Sequence, residues 1–157
     1  MAINVTKTLD LDLSGVKRSK REEVKEEIRE YLIDTILDYV SKAKSPVRGG
    51  KWKALSPEYK KFKAKESGST KANMELYGDM LDDLDVTFKG NKAEIGFGKE
   101  ASETSKLKAE NHNKFTKRAR STKLPERNFI PRKDQDFKKE IMEDIKSIIE
   151  EYRADQD

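Results

Sequence analysis

The sequence predicts an α+β fold: a small mixed or antiparallel sheet, made of an N-terminal strand and a central hairpin, packed against a long N-terminal helix and a C-terminal amphipathic helix. Three observations carry this expectation. Apolar residues alternate with polar ones from Ile3 to Leu13 and again from Leu84 to Phe97, the period of a half-buried strand. They recur every three or four residues from Val24 to Val40 and from Phe137 to Tyr152, the period of a helix with one buried face. Midway through the second alternating run stands Gly90-Asn91, a pair that tolerates positive φ and so marks a hairpin turn.

Taken in order, Ile3, Val5, Leu9, Leu11 and Leu13 share the odd positions, while Asn4, Thr6, Thr8, Asp10 and Asp12 share the even ones. Ser14-Gly15 ends the strand. A long core helix over about 19–43 follows, with Val24, Ile28, Tyr31, Leu32, Ile36, Tyr39 and Val40 on one face. Ser45-Pro46 and Gly49-Gly50 then open a flexible basic loop, about 44–55, that carries Trp52, the only tryptophan. Ser56-Pro57 starts a short helix, because serine accepts from free first-turn N–H groups and proline is tolerated as the first helical residue. That helix puts Tyr59 and Phe62 on one face, and a polar loop over 66–70 follows it. Residues 73–84 fit a helix bent near Gly78, and Leu84, Val86 and Phe88 then face Ala93, Ile95 and Phe97 across the hairpin. Residues 102–113 form a weakly amphipathic helix around Leu107 and Ala109, followed by a flexible basic loop over 114–123. Residues 124–131 are extended, since each proline there disfavours the α conformation in the residue before it. The last helix, about 134–152, buries Phe137, Ile141, Ile145, Ile148, Ile149 and Tyr152, and its acidic start suits the helix dipole.

At 157 residues the chain fits one domain, residues 1–157. Charged residues make up 41% and hydrophobic ones 34%, which predicts a thin core under a charged skin. The absence of cysteine excludes a disulfide framework, a thiolate metal site and a cysteine nucleophile, and suits folding in a reducing cytosol. The first thirteen residues lack the apolar stretch of a signal peptide, and no run approaches the roughly 20 apolar residues of a membrane span. Neither standard secretion nor a membrane partner is expected.

Chemistry is hard to find in this chain. His112 is the only histidine, so a Ser/His/acid triad would depend on one residue in a polar segment. Neither a P-loop nor a G-x-G-x-x-G fingerprint occurs, and Gly90 and Gly96 belong to the hairpin. Asp79, Asp82, Asp83 and Asp85 cluster without the spacing of an EF-hand loop, as expected of a solvated face or of charge partners for basic loops on another subunit. No catalytic, cofactor-binding or metal-ligating residue is therefore expected. A small hydrolase or toxin working through His112 or these acids is the enzymatic alternative.

Basic residues speak more clearly. Residues 42–65 hold nine Lys or Arg against one acid, and 106–133 hold ten against two. Lys114, Lys117, Arg118, Arg120 and Lys123 sit among Ser, Thr and Asn with no apolar face, as in a segment that meets a polyanion. Two bland alternatives stand beside that reading: the lysines keep the chain soluble, or they pair with Glu140, Glu143 and Asp144 of a neighbouring copy. Charge alone carries no sequence readout, and Phe115 is too isolated to stack bases.

Five groups of residues then fall into a recognisable order. They are Gly50-x-Trp52-x-x-Leu55-Ser56-Pro57-x-Tyr59, Leu76-x-Gly78-x-Met80-Leu81, the hairpin, Ala109-x-x-His112-Asn113, and Leu124-Pro125-x-Arg127-x-Phe129 before a final amphipathic helix. This order, covering about 49–152, resembles the phage virion morphogenesis, or tail-completion, family. The chain departs from that pattern at Lys114-Phe115, where a glycine is common, and at Pro125 to Phe129, where small residues and a second proline are usual. The resemblance implies a non-enzymatic structural protein of the bacteriophage head-to-tail connector, or neck, made in the host cytoplasm and resident at the neck/tail junction of the virion. It implies a cyclic homo-oligomer, a hexamer, whose partners are neighbouring neck, adaptor, tail-terminator or tail proteins and the phage DNA in its lumen. In such a ring Lys114, Lys117, Arg118, Arg120 and Lys123 border the DNA channel, while Trp52, Leu124, Pro125, Arg127 and Phe129 pack in the core or at a subunit interface. A tail terminator or another neck adaptor is the neighbouring alternative, and a stand-alone nucleic-acid-binding module is the alternative of another class.

Overall fold

The computed structural model describes residues 2–52, 78–122 and 125–154. Their order is β1 (Val5–Asp10), a 3-10 turn (Arg18–Lys20), α1 (Arg21–Ser41), α2 (Gly78–Asp82), β2 (Asp85–Lys89), β3 (Lys92–Phe97), α3 (Glu103–Asn113), α4 (Lys117–Arg120) and α5 (Lys139–Ala154). The short helix expected from Ser56, the part of the next helix before Gly78, and Lys123 and Leu124 lie outside the described residues.

The strands form one antiparallel sheet in the order β1-β3-β2, so the second hairpin strand becomes its centre. Val86 pairs with Ile95 and Phe88 with Ala93 on one side, and Val5 with Phe97 and Leu9 with Ala93 on the other. Both registers therefore bring the apolar set to the same face, where Val5, Leu9, Val86, Ala93, Ile95 and Phe97 are buried. Gly90 takes φ +59° at the hairpin turn. Gly96 is a glycine for another reason: a Cβ there would lie 2.2 Å from the Val5 carbonyl oxygen, so only glycine lets β1 approach β3.

Helix α1 lays Val24, Ile28, Leu32, Ile36 and Val40 into the core, each at most 1% exposed. Its C-terminus reverses at Ala43, which adopts φ +56° while its N–H bonds to the Val40 carbonyl and the Lys44 N–H to the Tyr39 carbonyl. Tyr31 and Tyr39 are half-buried at the seam with α5, where their hydroxyls donate to Asp144 (2.7 Å) and Glu140 (2.6 Å). Ile141, Ile145 and Ile149 fill the buried face of α5.

Some boundaries differ from the expectation. Ile3 is 41% exposed instead of buried, because β1 begins at Val5. Lys7 shares the odd-numbered side of β1 and is reconciled with it by reaching the carbonyls of Arg132, Lys133 and Gln135 and the Asp136 carboxylate. Helix α5 starts five residues later than periodicity suggests. Its approach is held in a turn by Gln135 N–H to Arg132 O, Arg132 N–H to Gln135 Oε1, and Lys138 N–H to Pro46 O.

Candidate functional site

Helix α3 forms where it is expected, but the face it buries is polar. Leu107 is 43% exposed, whereas Ala109, Glu110, His112 and Asn113 are inside. Ser102 caps its start by accepting from the Ser105 N–H (3.1 Å). Its end closes on Lys114 in the left-handed conformation (φ +54°), with the Phe115 N–H donating to the Glu110 carbonyl.

Burial of Glu110 and Asn113 is tolerated because both side chains are hydrogen-bonded. The Asn113 Oδ1 accepts from the backbone N–H groups of Phe129 (2.6 Å) and Ile130 (2.8 Å) and from Asn128 Nδ2 (3.3 Å), and its Nδ2 donates to the Ala109 carbonyl (2.9 Å). One residue earlier, the His112 carbonyl accepts from the Arg127 N–H (2.8 Å). The extended segment expected at 124–131 is thus laced to the end of α3 over its described residues. Its Phe129 ring is fully buried and meets Phe97 edge-on at 5.9 Å. Arg127 is buried, Pro125 is half-buried, and Trp52 is half-buried against the main core.

The segment expected as a flexible loop at 114–123 contains the helical turn α4, and most of its cations are engaged within the chain. Lys114 is 7% exposed, and its Nζ donates to the Ala119 carbonyl (3.0 Å) and Thr122 Oγ1 (2.7 Å). Thr116 accepts from the Ala119 N–H and donates to Glu110 (2.7 Å). Arg118 reaches both oxygens of the Glu110 carboxylate at 3.1 and 3.0 Å, and that residue is only 1% exposed. Arg120 donates through Nε to the Lys114 carbonyl (3.2 Å). Lys114 is thus buried within the chain, and the Glu110 carboxylate and the carbonyls of Lys114 and Ala119 engage these side chains. Lys117 is exposed and forms no ion pair among the described residues.

The described part of the other basic loop is also anchored. Ser45 Oγ donates to the Asn128 carbonyl (2.6 Å) and accepts from the N–H groups of Val47 and Arg48. Pro46 offers its carbonyl to Lys138, and the Trp52 N–H reaches the Ala43 carbonyl (2.8 Å). Arg48 meets Glu126 at 2.6 Å, and Glu126 also holds Arg132 at 2.8 Å. Burial pushes the Glu126 carboxyl up, but hydrogen bonds from Arg48 and Arg132 outweigh it and leave the group below its ordinary pKa. Lys44 and Lys51 stand opposite each other in an antiparallel bridge.

Burial, then the charges of Arg127, Lys114 and Lys108, lower the His112 pKa to about 4, so the imidazole is neutral at neutral pH. Asp85 pairs with Arg29 at 2.7 Å. The side-chain hydrogen bond from Ser105, then the Ser102 N–H, lower the pKa of Asp83. Among the described residues no three His, Asp or Glu are grouped to hold a metal ion, and no helix is long and apolar enough to cross a membrane. Glu140 and Asp144, considered as partners for another copy, accept from tyrosines of their own chain, and Glu143 lies 3.7 Å from Lys139.

Sequence reasoning missed Ser45, Glu110, Glu126 and Arg132. One signal was present: Glu110 and Glu126 are the only acids among the ten cations of 106–133, and in the fold Glu110 pairs with Arg118 while Glu126 pairs with Arg48 and Arg132. Compared with protein-family models, curated proteins and solved structures, the chain matches none of them.

Proposed function

We propose that this chain is a structural, non-enzymatic subunit of a bacteriophage head-to-tail connector, similar to tail-completion proteins, that closes into a ring around the DNA channel. One observation carries the reading. Two of the residue groups on which the resemblance rests, Ala109-x-x-His112-Asn113 and Pro125-x-Arg127-x-Phe129, meet in a single buried joint, with Asn113 and the His112 carbonyl holding the backbone from Arg127 to Ile130. These two residue groups are thus used to build the molecule, as suits a protein whose work is assembly.

A ring needs a head-to-tail contact between copies whose rotation closes. Duplex DNA brings about one charge per 1.7 Å of axis into its lumen, so an excess of basic residues facing the axis is compensated. Made in the host cytoplasm, such a subunit joins the neck of the virion, where its partners are its own copies, adjoining neck, terminator or tail proteins, and the DNA in transit.

Light scattering and native mass measurement test the reading. A closed cyclic oligomer, alone or on mixing with its neck neighbours, is expected. A chain that stays monomeric at every concentration and with those neighbours, yet binds free duplex DNA tightly with a steep salt dependence, is a stand-alone binding module instead.

A further inference from the structure

We infer that the loop at 44–51, rather than the segment at 114–122, is the surface that meets nucleic-acid phosphates; this rests on the connector reading and names the residues of its DNA contact. Lys44 and Lys51 are exposed and directly opposite each other across an antiparallel bridge. Residues so paired have Cβ atoms about 5 Å apart, and like charges there repel. Neither lysine forms an ion pair among the described residues. Glu126, the carboxylate bound to this loop, is already shared by Arg48 and Arg132. An exposed pair of like charges on an anchored frame is relieved by an anion from outside.

The frame is built to hold them. Ser45, Pro46 and Val47 are buried, and the loop is fastened to Asn128, Lys138 and Glu126. Beyond these anchors Gly49 and Gly50 are exposed, and a Cβ at either would meet nothing within 4 Å, so a phosphate backbone can approach the tip. Lysine suits that contact as a point charge with rotatable donors. By contrast, Lys114, Arg118 and Arg120 spend donors on Ala119, Glu110 and Lys114 of the same chain. The acidic face of a second copy is the weaker partner, since Glu140 and Asp144 are held by Tyr39 and Tyr31.

Fluorescence anisotropy of a labelled mixed-sequence duplex, titrated from low to moderate salt against the full chain, tests this, with light scattering on the same samples. The double change Lys44→Gln and Lys51→Gln should make the slope of log affinity against log salt shallower by about 2, one phosphate contact per lysine. Lys44→Arg with Lys51→Arg should keep the slope, Lys117→Gln should leave it as in the parent chain, and circular dichroism should be the same for all. An unchanged slope in the Gln double variant, with the parent chain still assembled, overturns the loop assignment and leaves the connector reading standing. So does a double variant that loses its oligomer while its slope is kept, which makes the loop a contact between copies. A parent chain that neither assembles with its neck neighbours nor binds duplex at low salt overturns both.

Discussion

The Asn113 side chain carries four hydrogen bonds and exposes no surface, so one amide decides whether two backbone N–H groups in the core have an acceptor. Asn113→Ala strands the N–H groups of Phe129 and Ile130; at roughly 1–3 kcal/mol for each buried orphan, urea unfolding should show a loss of about 3 kcal/mol or more. Its neighbour His112 makes stability depend on pH. The ordinary histidine pKa of 6.5 falls to about 4 in the fold. Above 6.5 the ring is neutral in both states; below it the unfolded chain binds a proton that the folded chain refuses, so stability falls from about pH 6.5 to pH 4. The separation corresponds to on the order of 3 kcal/mol. Urea midpoints between pH 7 and 4.5 should show the decline, and His112→Gln should flatten it. Lys114 occupies a backbone position that favours glycine. A left-handed residue ends α3 there, a conformation glycine adopts freely, and lysine offsets the backbone strain with two hydrogen bonds from Nζ.

Sheet and helix turn answer to different constraints. At Gly96 the added methyl of Gly96→Ala would collide with the Val5 carbonyl oxygen, which belongs to the backbone and cannot rotate away. Combined strain and overpacking of about 3 kcal/mol should follow, seen as a lowered melting temperature with faster hydrogen exchange in β1. The α4 turn includes one ion pair, Arg118 with Glu110. Lys117→Gln should leave stability within about 0.5 kcal/mol, because that side chain is exposed and forms no ion pair among the described residues. Arg118→Gln should cost about 1–2 kcal/mol, because it removes a charged donor from the buried Glu110 carboxylate, and the Arg118 side chain is itself 68% exposed. Equal stability of the two variants in denaturant titrations would show that Glu110 does not need its arginine. Periodicity marked α3 and α5 as helices, yet missed what holds α4, since Ala119 is the only apolar residue in that turn.

Across the molecule, β1, α1, the hairpin, Phe129 and Ile130, and α5 contribute to one hydrophobic cluster, and Trp52 packs against its edge. Unfolding in urea followed by tryptophan fluorescence and by far-ultraviolet circular dichroism should therefore give coincident transitions. A fluorescence change at lower urea would mean that the loop at 44–52 opens by itself. The α+β class, the strand alternation, the faces of α1 and α5 and the hairpin turn were legible in the amino-acid order, because periods of two and of three to four are local properties of a chain that must bury one face. The position of β3 at the centre of the sheet, the closeness of Gly96 to Val5, and the joint of Asn113 with Phe129 and Ile130 were not legible, since each depends on residues far apart in the chain. For the basic segments the sequence determined the charge and tertiary structure decided its use. Glu110 and Glu126, two acids among many cations, draw Arg118, Arg48 and Arg132 into the fold, whereas the Lys44–Lys51 bridge holds two lysines side by side at the surface. Charge adds up along a sequence, but which charge finds a partner depends on distance in three dimensions.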